Sequence, residues 1–358
     1  MNVTFVALGV YGGEGGIERF NRRLLGSLAA SGHRAGAIVL WDAEDEAAAA
    51  PDGVAVVACR RSKPRAVAAF ARALLRERPD VVLYGHVLLA PLALLAKVLR
   101  PRAANVLVVH GYEVWSRPSA VARRVVRAAV DRVASVSDYT ARKMASAYGI
   151  DGSRFVRLVN AVDTGPSRPP RGTRSGDKLL VVSRLDPVNK AKNVDKVIAA
   201  MPRVLEDAPR AHLYVAGDGA WRPELEALAR SLGVAEHVHL VGAVSDEQRE
   251  ALYAGSDVFV LPSTQEGFGI VYLEAWRHAL PVVAGAGGAA PEVVRDGVEG
   301  LVVEPSPEAI ATAVLRLLRD PALRDALGEA GYRRLTSYYT GRHFDEMLSK
   351  VLDEVVAA

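Results

Sequence analysis

One cysteine, Cys59, stands in 358 residues. A lone thiol excludes an intramolecular disulfide framework and fits a reducing cytosol. At the end of the apolar run Val54–Ala58 it is expected to be buried and inert. No Asp-X-Asp occurs, and no Cys/His cluster has metal-ligand spacing, so metal-free chemistry is the expectation. There is no Gly-X-Ser-X-Gly and no sign of a hydrolytic triad. A Gly-Lys-Ser/Thr ending is missing, which removes a nucleoside-triphosphate loop. Aromatic residues make up only 6%. No stacking pattern accompanies the arginines, which argues against a nucleic-acid partner.

Membrane-spanning signals are also scarce. Met1–Leu8 lacks a basic leader and is too short for a signal peptide, so it is expected to be a first strand. The apolar stretch Val81–Leu99 is interrupted by Gly85 and Pro91. It reads better as a strand, Val81–Tyr84, leading into a buried helix, Leu88–Leu99. The expectation is a soluble chain.

What the chain has is an apolar half, 50% of its residues, in short Val/Leu runs alternating with Ala/Arg/Leu helical stretches. That alternation predicts α/β architecture with parallel sheets. The length favours two domains over one core. Residues 1–163 hold the strands Val3–Leu8, Ile38–Trp41, Val54–Ala58, Val81–Tyr84, Val106–Val109, Val133–Val136 and Phe155–Val159. Helices are expected at Ile17–Ser31, Arg65–Arg78 and Tyr139–Tyr148, the last capped by Ser137-Asp138. Residues 164–177 carry three prolines and three glycines and no core-forming residue, the composition of a linker. Residues 178–340 resume the pattern, with strands Leu179–Ser183, His212–Ala216, Val238–Val241, Val258–Leu261, Pro281–Ala284 and Leu301–Val303. Their helices are expected at Val194–Leu205, Glu224–Leu232, Asp246–Ala254, Ile270–Ala279 and Pro307–Arg319. A helix, Gly341–Val356, follows after that sheet is complete.

Charge divides unevenly. Residues 1–163 hold 23 Lys/Arg against 14 Asp/Glu, and residues 164–358 hold 22 against 27. A basic first half suggests an anionic partner such as a lipid leaflet, with a solvated Arg-rich surface as the plain alternative. Arg60-Arg61-Ser-Lys63-Pro-Arg65 and Arg123-Arg124 with Arg127 concentrate that charge.

The chemistry gathers at strand ends. Glu266-Gly267-Phe268-Gly269 is the turn where Val258–Leu261 gives way to a helix, with Glu274 one turn further on. Helix starts offer unpaired N–H groups, and glycines allow close approach, so an anion with adjoining hydroxyls is the natural ligand. A sugar nucleotide has both. Arg184 ends another strand, with Lys190 and Lys192 following, a planar fork and point charges that suit a diphosphate. His110-Gly111-Tyr112-Glu113-Val114-Trp115 offers hydrogen bonds and aromatic faces to carbohydrate. The turn Gly9–Gly16 invites a dinucleotide reading through Gly13, Gly15 and the acid Asp42, but Glu18 stands where the third glycine belongs. Its remaining use is a row of N–H donors able to touch a pyrophosphate.

Taken together, these residues resemble glycosyltransferase family 4. The resemblance rests on Arg184 with Lys192, the pair Glu266 and Glu274 around Glu-Gly-Phe-Gly, and Gly287-Gly288-Ala-Ala-Pro291-Glu292. Asp296-Gly297-Val-Glu-Gly300, Gly15-Gly16-Ile-Glu18, His110-Gly111, Ser137-Asp-Tyr-Thr140 and Asn160-Ala-Val-Asp163 extend it over residues 3 to 335. It implies the GT-B architecture: two Rossmann-like domains with parallel sheets facing across a cleft, and a last helix crossing back to the first domain. The implied activity is retaining, metal-independent transfer of a hexose from a nucleoside-diphosphate sugar to an acceptor hydroxyl, without a cofactor. The resemblance assigns Arg184 and Lys192 to the diphosphate, Glu274 to the ribose, and Glu266 to the donor sugar beside the N–H groups of Gly267, Phe268, Gly269 and Ile270. Gly15 and Gly16 fall at the diphosphate loop, His110 near the reacting sugar, and Gly242 by the base. The acceptor is expected to be a glycan, a lipid-linked sugar or a small molecule. The expected location is cytoplasmic, with peripheral contact at the inner membrane face as the further option. Two positions depart from the family pattern: Asn193 follows Lys192 where glycine is common, and Ala161 follows Asn160 likewise.

Overall fold

The computed structural model describes residues 1–13, 15–165, 169 and 177–357. The chain forms two compact units, residues 1–161 with 341–358, and residues 162–340. The stretch expected as a linker lies largely outside the described residues.

In the first unit the strands are β1 (Asn2–Ala7), β2 (Arg34–Val39), β3 (Val54–Ala58), β4 (Val81–Tyr84), β5 (Ala104–Val109), β6 (Arg132–Ser135) and β7 (Phe155–Arg157). They make one sheet in the order β3-β2-β1-β4-β5-β6-β7, with every pairing parallel. β2 starts earlier and ends earlier than its apolar residues suggested. Its Ala35-Gly36-Ala37 segment carries little hydrophobic signal, yet the register Asn2↔Arg34 through Ala7↔Val39 recruits it. The expected helix from Leu88 breaks into a short 3-10 turn, Val87–Leu89, and the helix Pro91–Leu99, because Pro91 supplies no N–H and suits a first turn. Helix Ala120–Ala129, absent from the reading by pattern, covers the same side as Lys63–Arg76 and Pro91–Leu99. The last helix, Gly341–Ala357, belongs to this unit. Phe344 is fully buried against Phe20, and Asp345 holds Arg23 at 2.8 Å.

The second unit holds β8 (Lys178–Val182), β9 (His212–Ala216), β10 (Val238–Gly242), β11 (Val258–Leu261), β12 (Val282–Gly285) and β13 (Gly300–Val303). Their order is β10-β9-β8-β11-β12-β13, again all parallel. Both sheets are doubly wound. The strand order reverses between β1 and β4 in one and between β8 and β11 in the other, and open α/β sheets bind ligands at the carboxyl ends beside such reversals. No helix among the described residues is long and apolar enough to cross a membrane. The thiol of Cys59 is buried, and that burial pushes its pKa up, which keeps it inert.

Candidate active site

The loops at the β8/β11 reversal carry three of the charged candidate residues of the second unit, Arg184, Lys192 and Glu266. The loop after β8 carries Arg184 and runs through a 3-10 segment, Pro187–Lys192; the loop after β11 carries Glu266. The two loops are tied together by backbone and side-chain hydrogen bonds. Thr264 donates its N–H to the Ala191 carbonyl at 2.8 Å, and the Asn193 amide donates to Pro262 O at 2.7 Å. Asn193 adopts the left-handed conformation, φ 57° and ψ 36°. Asn tolerates that region, so it replaces glycine there and adds a tether that glycine lacks.

Within this frame Lys192 Nζ lies 2.7 Å from Glu266 Oε2, and the Glu266 side chain is only 8% exposed. Lys190 points elsewhere: its ammonium meets Glu224 at 2.8 Å and sits over the Trp221 ring. Arg184 is exposed and has no ion pair among the described residues. Its strand end is gripped by the loop after β9, where Gly217 and Gly219 approach so closely that a Cβ would fall 1.9 Å from Ser183 O or 2.4 Å from the Leu185 carbonyl carbon.

The Glu266 turn is held from behind. The Gly287-Gly288 segment after β12 packs backbone to backbone against it. A Cβ on Gly288, at φ +67°, would fall 2.4 Å from Glu266 N. Ala289 donates its N–H to Glu266 O at 2.7 Å. Gly269, at φ 90°, caps the helix Ile270–Arg277 with no side-chain cap, and Ile270 opens that helix half-buried. Gly267 sits half-exposed in the turn, while the Phe268 ring is buried edge-on against Tyr339, so Phe268 offers a ligand its backbone alone. Glu274 is buried on the same helix, and the Tyr253 hydroxyl donates to it at 2.9 Å. Gly242, at φ +81°, ends β10 where Gly217 donates to its carbonyl, and Val241 before it is exposed.

In the first unit the turn after β1 is built around two residues. The buried Asp42 carboxylate accepts the Val10 and Tyr11 N–H groups. It therefore serves the turn, and the ribose role of a dinucleotide fold is overturned for it. Glu18, in place of the third glycine, lays its carboxylate over Gly13 and Gly15. Gly15 caps the helix Gly16–Ala30 without a side chain, and Gly16, its first residue, is exposed.

His110 follows β5. Its Nε2–H donates to Gly85 O at 3.1 Å, which leaves Nδ1 as the acceptor in the neutral ring. Burial lowers its pKa, opposed by Glu113 and the Gly85 hydrogen bond, so the ring is neutral at pH 7. His86, after β4, is lowered for the same chief reason and stands in the same field of Glu113, His110 and Glu18. The sequence reading passed over His86, although its strand-end position matches that of His110. Glu113 bends back to accept the His110 and Gly111 N–H groups at 2.5 and 3.0 Å. Trp115 packs on Tyr139 and donates Nε1–H to Thr140 Oγ1. Of the aromatics expected to stack on sugar, Trp115 is thus engaged with the protein, and Tyr112 alone is exposed, at 65%. The cavity of about 270 Å³ beneath helix Lys63–Arg76 is a separate feature, lined by mid-strand residues such as Thr4, Gly36 and Ala55.

Comparison with known proteins bears on the family and the fold. Residues 14–165 match the model described as Glycosyltransferase Family 4, and residues 169–334 match Glycosyl transferases group 1. A GDP-mannose-dependent α-(1-6)-phosphatidylinositol monomannoside mannosyltransferase of Mycolicibacterium smegmatis is 39% identical over 265 residues, covering 68% of each chain. Sucrose-phosphate synthase from Thermosynechococcus elongatus superposes with a TM-score of 0.83 at 20% identity, covering 99% of both chains. HepE of Anabaena in complex with UDP-glucose gives 0.81 at 18% identity, covering 99% of this chain and 100% of that one. At such identities these two structures speak for the fold alone, which is GT-B. The chain belongs to glycosyltransferase family 4 and is a glycosyltransferase.

Proposed function

We propose that the enzyme transfers a mannosyl residue, with retention and without a metal ion, from GDP-mannose to a hydroxyl of a lipid-linked sugar. The observation that carries the transfer reading is the pairing of Lys192 with Glu266 across the loops after β8 and β11, with Arg184 in the first of those loops and Glu274 in the helix that follows the second. Mannose, guanine and the lipid acceptor are taken from the printed activity of the mycobacterial relative.

In this reading Arg184 and Lys192 hold the diphosphate. Their positive charges do the work that a divalent cation performs elsewhere, stabilising the leaving oxygen as the glycosidic bond breaks. Lys192 starts out paired to Glu266, so an arriving diphosphate competes with that carboxylate for the ammonium. Glu266 then faces the sugar hydroxyls, and Glu274, oriented by Tyr253, takes the ribose. The backbone from Gly267 to Ile270, with Gly15 and Gly16, offers N–H donors, and Gly242 borders the base. His110, neutral, accepts a sugar hydroxyl through Nδ1. The acceptor oxygen attacks the face that the phosphate leaves, and the departing phosphate takes the acceptor proton. Glu266 is then no nucleophile.

The test is a panel of GDP-mannose, UDP-glucose, ADP-glucose and dTDP-glucose with phosphatidylinositol mannoside, with and without chelator. Transfer from GDP-mannose giving an α-linked product, undiminished by chelator, is expected. A β-linked product, chelator-sensitive turnover, or transfer only from another donor would overturn the corresponding part. A trapped glycosyl-Glu266 adduct would overturn same-face attack.

A further inference from the structure

Tyr253 and Glu274 belong to a larger set of contacts between two helices. Glu250 and Tyr253 stand three residues apart on helix Asp246–Gly255 and so share a face. Glu274 and Arg277 on helix Ile270–Arg277, with His278 just after it, meet them. The Tyr253 hydroxyl donates to Glu274 Oε2 at 2.9 Å. One turn away, Glu250 accepts from two groups, Arg277 Nη1 at 2.9 Å on Oε1 and His278 Nε2 at 3.0 Å on Oε2. The His278 hydrogen bond is the chief cause that holds the Glu250 carboxyl below its usual value. Glu250 is therefore the ionised acceptor and His278 Nε2–H the donor. The His278 ring in turn lies parallel to the Tyr253 ring, with centroids 5.7 Å apart and 10° between the planes. Phe259 of β11 also packs on Tyr253, at 5.8 Å.

Packing alone does not call for a histidine here. His278 is 3% exposed, and an apolar ring would cover Tyr253 without taking a polar group out of water. A buried imidazole costs free energy unless a partner takes its N–H, and Glu250 takes it from the other helix. That tether fixes the imidazole plane, the imidazole limits the phenol, and the phenol aims the carboxylate. A carboxylate that must meet two neighbouring hydroxyls at once depends on its aim, because hydrogen bonds weaken steeply off their axis. We infer that His278, tethered by Glu250, is a positioning residue that sets the Glu274 carboxylate, through Tyr253, for the two hydroxyls of the donor ribose. The inference rests on the ribose role of Glu274 proposed above, and its test lets either fail visibly.

The full chain is assayed with the sugar nucleotide that it turns over and with the dideoxyribose analogue of that donor, which lacks both ribose hydroxyls. The wild type should prefer the natural donor by roughly a hundredfold or more in kcat/KM. Glu274→Ala should remove most of that preference. His278→Phe keeps a ring beside Tyr253 and loses the tether. It should shrink the preference about fivefold or more, through a higher KM for the natural donor with kcat nearly kept. Glu250→Gln, close in shape and at a partly exposed position, should shrink it in the same direction and carries the test if His278→Phe does not fold. A merely structural role would lower Tm and leave the preference where it was. That result, with Glu274→Ala still collapsing the preference, would overturn this inference and spare the ribose reading. A preference unmoved by Glu274→Ala would overturn both.

Discussion

The ammonium of Lys192 and the carboxylate of Glu266 meet at 2.7 Å from loops 74 residues apart, while Lys190, two positions earlier, turns to Glu224. The two lysines should therefore behave differently. Lys192→Ala leaves a nearly buried carboxylate unpaired, which should cost about 1–3 kcal/mol of stability. Turnover should fall with it. Lys190→Ala breaks an exposed pair and should stay within about 1 kcal/mol of wild type with near-normal kcat. Urea denaturation and steady-state kinetics on both variants check this; matched behaviour would contradict it.

Arg184 separates binding chemistry from folding. Its side chain is exposed and holds no carboxylate among the described residues, so Arg184→Ala should leave Tm unchanged. Losing one charged donor at the leaving group should lower kcat by roughly two to three orders of magnitude, about 3–4 kcal/mol. Near-normal turnover would remove Arg184 from the site.

Gly288 tests the support behind Glu266. An alanine there faces both a left-handed φ of +67° and a Cβ 2.4 Å from Glu266 N. Because backbone blocks it, the Glu266 turn must shift. Gly288→Ala should lose about 2 kcal/mol or more of stability and a larger share of activity than of fold. Gly255, whose Cβ would meet nothing within 4 Å, is the control position.

Tyr253→Phe removes the hydroxyl that donates to buried Glu274. The expected cost is about 1–3 kcal/mol in stability, with a rise in KM for the donor exceeding the change in kcat. Calorimetry with donor kinetics reads both quantities, and an unchanged donor KM would detach Glu274 from donor binding.

His110 and His86 predict acid sensitivity. Burial lowers both below the ordinary histidine value of 6.5. Below that value the unfolded chain takes up protons that the folded rings refuse, so their contribution is complete above pH 6.5 and is lost as pH falls through the lowered values. His110→Gln should flatten the decline of stability below that pH. A pH series of denaturation midpoints with the same slope in both proteins would contradict the assignment.

Much of this was legible in the residues because strand ends, glycine turns and helix caps are local. Val54–Ala58, Val81–Tyr84, His212–Ala216 and Val258–Leu261 read as strands from their apolar runs and are strands. Ser137 was readable as a cap and accepts the Thr140 N–H. Helix Pro321–Tyr338 was not read as an element, since its apolar residues are diluted by small and charged ones and its packing on Ile270–Arg277 is tertiary. Arg34–Gly36 joined a strand only because β1 supplied the register.

The sequence by itself determined the α/β class, the family, and the acids and bases placed at strand ends, because spacing and residue type are enough for those. Tertiary structure alone decided which lysine meets Glu266, that Asp42 serves a turn, that Trp115 is engaged by Thr140, and that Tyr253 orients Glu274. Each of those choices joins segments separated along the chain, and the order in which parallel strands pair sets which loops and helices become neighbours.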